Sequence, residues 1–149
     1  MHERSANEPG MSVMIDQLSA APHQRPLSIM CPRSSGQARD IARAYLSALR
    51  PPVTPETVDN VVLVVSELVT NAYRHAGGLI ALQLSGSAGN LHVHVTDPSP
   101  VLPYSRSAGP DTDLERVGGY GWALVRHLAH EVTVRREPRG GKTIDVFIR

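Results

Sequence analysis

Residues 64–76, V-V-S-E-L-V-T-N-A-Y-R-H-A, constrain this chain more than any other segment. At 100° per residue, Val58, Val61, Val62, Val65, Leu68, Val69, Ala72 and Ala76 fall on one broad stripe, the signature of a long helix laid on a core. Thr54 followed by Pro55 suits its start, and Gly77-Gly78 its end. Glu67 and Asn71, one turn apart, lie off the stripe, with Leu63 and Val64 beside them. A carboxylate and an amide so placed face either water or a lined cavity. In a cavity, the carboxylate can activate a hydroxyl and the amide oxygen can hold a hard metal ion.

After Gly78 the apolar period shortens from that of a helix to that of a strand. Residues 79–84 and 91–95 read as two strands joined by residues 85–90 as a hairpin. Residues 132–136 and 143–148 read as a second hairpin, turning at 137–141. Upstream, 27–31 is a short strand ended by Pro32. A helix capped by Ser34 or Ser35 runs to about Leu49 and stops at Pro51-Pro52. Another helix follows Gly118-Gly119-Tyr120-Gly121, from Trp122 to about His130. The order strand, helix, helix, hairpin, long loop, helix, hairpin lacks regular βαβ alternation. It predicts an α/β (α+β) two-layer sandwich, with a mixed, mainly antiparallel sheet and helices on one face. Residues 1–26, rich in Pro, Ser and Ala, read as a disordered or partly ordered tail preceding one domain over 27–149.

Composition excludes several function classes. A net charge of +1 over 149 residues gives no electrostatic case for direct nucleic-acid or membrane-surface binding. The single cysteine, Cys31, allows neither an internal disulfide nor a thiolate metal cluster. No apolar run has membrane-spanning length, and the first ten residues lack the apolar segment of a signal peptide, so the expected location is cytoplasmic.

Five further patterns bear on possible chemistry. Gly118-Gly119-Tyr120-Gly121, before a helix, is either a phosphate cradle or a hinge and cap; it does not fit the dinucleotide fingerprint, because residue 124 is Leu. Asp97, at the end of a strand, either accepts from the amino group of a base or forms an Asx-turn before Pro98. Gly140-Gly141-Lys142-Thr143 lacks the first glycine of a P-loop, since position 136 is Arg, and leads into a strand; it is a hairpin turn. His92 and His94 share a strand face and could chelate zinc, but with no third ligand marked they suit a surface or an interface better. Residues 101–118 form a polar, Gly- and Pro-bearing loop long enough to be either functional or disordered.

Taken in order, E67-L-V-T-N71-A-Y-R-H75-A, D97-P-S-P, G119-Y-G121-W-A-L-V and G141-K-T143 resemble the GHKL (Bergerat-fold) ATPase superfamily. The resemblance is nearest to small actinobacterial ATP-binding proteins and anti-sigma-factor serine/threonine kinases. It implies ATP and Mg²⁺ as cofactors, with Glu67 as general base, Asn71 as the magnesium ligand and Asp97 on the adenine amino group. It places Gly119 and Gly121 near the phosphates, Thr143 near the adenine, Arg74 and His75 beside the site, and residues 101–118 as the ATP lid. It further implies phosphorylation of a serine or threonine on an anti-sigma-factor antagonist (a STAS-like protein), sequestration of a sigma factor, and a homodimer. The alternative is a nucleotide-binding interaction module without transfer. The sequence departs from the superfamily's Asp-x-Gly-x-Gly box in having Pro98-Ser99-Pro100 after Asp97, and Tyr120 stands between the two glycines of the second box.

Overall fold

The computed structural model describes residues 28–103 and 120–149. The expected tail, Gly119 and the lid over 104–118 lie outside the described residues. The element order is β1 (Ser28–Met30), α1 (Ser35–Ser47), α2 (Pro55–His75), β2 (Ala81–Ser87), β3 (Asn90–Asp97), α3 (Tyr120–Leu128), β4 (Glu131–Arg136) and β5 (Lys142–Ile148). The five strands form one sheet in the order β1-β2-β3-β5-β4, with every pair antiparallel. The helices cover one face of it, as the pattern of periods predicts.

Local chemistry explains the element ends. Ser34 caps α1, its hydroxyl accepting from the Gln37 N–H at 3.1 Å. Thr54 does the same for Thr57 at the start of α2, where Pro55 occupies a position whose N–H would have no helical partner. The first hairpin is tighter than the sequence suggests. Ser85, Gly86 and Ser87 belong to β2, and Ala88-Gly89 alone makes the turn. Gly86 is required inside that strand: its φ is +115°, and a Cβ would overlap the Asn90 carbonyl oxygen.

The core is aliphatic, with Tyr45 the one aromatic side chain among its buried residues. Alternation on the sheet supplies Leu82 and Leu84 from β2, Leu91, Val93 and Val95 from β3, and Ile144, Val146 and Ile148 from β5. Against these α2 lays Val61, Val62, Val65, Leu68, Val69 and Ala72. Val64 is also fully buried, so the buried arc of α2 is wider than the predicted stripe. The extra arc arises because α2 packs against α1 and α3 as well as the sheet. Each fully buried Val or Leu contributes about 1.5–3 kcal/mol.

The other sheet face carries a polar network. His94 contacts Asp145, which also accepts from Arg135 Nε at 2.8 Å. The His92 ring stacks on His94, and the Phe147 ring lies 4.7 Å from that of His92. Among the described residues no group of three His, Cys, Asp or Glu could hold a metal ion, so the His-x-His pair has no zinc set around it. Burial, and next the neighbouring His94, hold the His92 pKa below its usual 6.5, although Asp145 and Glu131 pull the other way. The unfolded chain therefore binds this proton at higher pH than the folded one. Stability from this group is complete above about pH 6.5 and is lost as the pH falls through the lower folded value. His92→Gln is expected to flatten part of the decline in melting temperature between pH 7 and 5, as read by calorimetry.

Candidate functional site

The apolar rows of β3 and β5 end, at the same edge of the sheet, in two charges. Asp97 is in phase with Leu91, Val93 and Val95, and Lys142 with Ile144, Val146 and Ile148. The two are register partners across the strands. Lys142 Nζ donates to Asp97 Oδ1 at 2.8 Å and to the Ser99 carbonyl at 3.1 Å. The side chains are 8% and 4% exposed, so this is a buried ion pair. Asp97 Oδ1 also accepts from the Ser99 N–H at 2.9 Å, so the Asx-turn that Asp97-Pro98 allows is formed. Gly141 makes this approach possible: its φ is +89°, and a Cβ there would overlap the Asp97 carbonyl oxygen.

The pair forms part of the wall of a cavity of about 260 Å³. From α2 come Asn71 and His75, one turn apart; from α3 come Gly121 and Trp122. Val101, Leu102 and Pro103, following β3, complete an apolar rim. Val101 and Leu102 remain exposed. The cavity is thus apolar along one side and polar where α2 meets the ends of β3 and β5, a distribution that suits a flat ring with a polar edge.

Glu67 stands beside this cavity. It is half-buried, and its carboxylate lies against Gly121, where any Cβ would overlap Oε2. The glycine at the start of α3 therefore has a defined duty: it leaves room for the Glu67 carboxylate between two packed helices. Neither Glu67 nor Asn71 has a side-chain hydrogen bond among the described residues. Both are uncommitted groups, as a ligand site requires.

The structure thus brings Asn71, His75, Asp97 and Gly121 to one cavity, with Glu67 adjoining. Arg74 is exposed at the end of α2 and does not line it. Tyr120, the first residue of α3, is 88% exposed. Thr143 is on the opposite side of the sheet. Its hydroxyl donates to Glu137 at 2.6 Å and lies 2.9 Å from that of Thr96, in a shallow depression with Gln83 and His94. The reason is strand parity: Thr143 follows Lys142, and adjacent side chains point to opposite faces. Lys142 is the site residue that motif reading misses. Its signal is its phase, since a lysine aligned with a buried aliphatic row needs a carboxylate partner.

An antiparallel sheet covered by helices on one face, with a polar-edged cavity where the longest helix meets the central strand ends, defines a Bergerat-type nucleotide-binding fold. The chain belongs to the histidine kinase-like ATPase domain family, whose match spans residues 31–147. Among curated proteins none matches it. No helix among the described residues is long and apolar enough to cross a membrane.

Proposed function

We propose that this domain is a Mg-ATP-binding regulatory module that works by engaging protein partners. The carrying observation is that Asp97, Asn71 and Gly121 line one cavity. In this reading Asp97 accepts from the adenine amino group, and Trp122 and the 101–103 segment cover the ring. The start of α3 supplies backbone N–H groups to the phosphates. The donor set suits magnesium: one uncommitted amide oxygen, Asn71, is enough for an ion that retains waters and takes its other ligands from phosphate. Bound there, the ion would neutralise phosphate charge. Asn71→Ala is expected to remove most of the magnesium dependence of ATP affinity, measured by calorimetry with Mg²⁺ and with a chelator. Unchanged affinity and unchanged magnesium dependence would overturn the assignment.

A second reading adds phosphoryl transfer and is favoured by the placement of Glu67. Its free carboxylate, held against Gly121, adjoins the end of the cavity assigned to phosphate. A serine or threonine hydroxyl of an anti-sigma-factor antagonist would lose its proton to Glu67 as its oxygen attacks the γ-phosphorus and the bond to the β-phosphate oxygen breaks. The partners in either reading are such a STAS-like antagonist, a sigma factor, or both, with a homodimer as the working assembly.

A further inference from the structure

We propose that Lys142 reads the nucleotide base directly: its ammonium donates to ring nitrogen N1 of adenine while Asp97 Oδ2 accepts from the 6-amino group. This rests on the reading that the cavity binds ATP. An ammonium has three donors. Two are committed, to Asp97 Oδ1 and to the Ser99 carbonyl, and the third has no partner among the described residues. Asp97 Oδ1 takes both the ammonium and the Ser99 N–H, while Oδ2 has no partner among the described residues. No fully buried side-chain nitrogen or oxygen among the described residues lacks a hydrogen bond. Oδ2 is therefore not sealed in the core, and both residues line the cavity.

The site thus presents one spare donor beside one spare acceptor. The edge of adenine offers the complement, an acceptor at N1 next to a donor at the 6-amino group. The ion pair also fixes the direction of reading. Lys142 is held by Asp97 and Ser99 at the sheet edge, so its charge stays with the base. Guanine could satisfy the same pair through O6 and N1–H, but its 2-amino group, next to N1–H, would need a further acceptor, since Asp97 Oδ1 already takes two hydrogen bonds.

The test uses the full chain and four nucleotides: ATP, GTP, ATP with CH in place of N1 (1-deaza-ATP), and 7-deaza-ATP as a control altered away from the contacted edge. A hydrogen bond from a charged donor predicts that the N1 replacement weakens binding about ten- to hundredfold, while the 7-deaza control stays within about threefold. In Lys142→Met the N1 penalty is expected to shrink to within about threefold, because the donor is gone. If that variant does not fold, the wild-type comparison decides alone. ATP and 1-deaza-ATP bound equally well, equal losses for both deaza analogues, or GTP bound more tightly than ATP would each overturn the assignment while leaving nucleotide binding intact. Failure of ATP itself to bind would instead overturn the nucleotide reading, and this one with it.

Discussion

Asp97→Ala is expected to lower folding stability by about 3–5 kcal/mol and to abolish ATP binding. The stability loss comes from Lys142, 8% exposed, which would keep its charge but lose the carboxylate that compensates it. Removing both charges should be far milder than removing one. Asp97→Ala combined with Lys142→Met replaces the pair by apolar groups at the end of an apolar row, and well-packed replacements of buried ion pairs are often neutral or stabilising. Denaturant unfolding of the two single variants and the double is therefore expected to show strong coupling, with most of the lost stability regained. ATP affinity is expected to stay lost in the double variant. Additive stability losses would show that the two charges act independently, and ATP binding retained by Asp97→Ala would remove Asp97 from the base site.

Glu67→Gln separates the two functional readings. The amide keeps the shape of the carboxylate and its packing on Gly121 but cannot take a proton. ATP affinity is expected to stay within about threefold of wild type. Where the wild type transfers labelled phosphate to an antagonist protein, the variant is expected to lose about 10²–10⁴-fold in rate, the usual size of a general-base contribution. Gly121→Ala should reproduce that loss with Glu67 intact, because a methyl group there displaces the carboxylate. An active Glu67→Gln variant would exclude Glu67 as the base. A wild type that binds ATP but labels no partner leaves the domain as a binding module.

Much of this architecture is legible in the chain. The helical period over α2, its Thr54-Pro55 start, and the switch to strands after Gly78 are local signals written in neighbouring residues. The same holds for the tight pairing of β4 with β5 through Gly140-Gly141. The hairpin between β2 and β3 is read too loosely, because Ser85-Gly86-Ser87 has loop-like composition. Tertiary pairing with Leu91 and Asn90 overrides that composition and makes it strand.

At the site, residues on one element are the easiest to read. Asn71 and Glu67 share a helix face, so their spacing alone groups them. Thr143 and Lys142 show where motif reading gives out. Sequence proximity favours the threonine, but which of two adjacent strand residues enters a site depends on parity relative to the core. That parity is fixed by Ile144, Val146 and Ile148, further along the strand. The role of Gly121 is likewise hidden, because it depends on contact between two helices that stand far apart in the sequence, with β2 and β3 between them. It becomes apparent only when α3 is seated on α2.

On the proposed reading, the cavity between α2, α3 and the Asp97–Lys142 strand ends binds Mg-ATP. The most direct measurement is the melting temperature of the full chain with increasing Mg-ATP. A ligand that binds only the folded state adds about 2.7 kcal/mol at a hundred times its dissociation constant. In a domain of this size that is a rise of roughly 5–20 °C, growing with nucleotide concentration. That rise is expected for wild type, and none for Asp97→Ala, because the cavity is the assigned nucleotide site. A melting temperature unmoved by millimolar Mg-ATP would contradict that assignment.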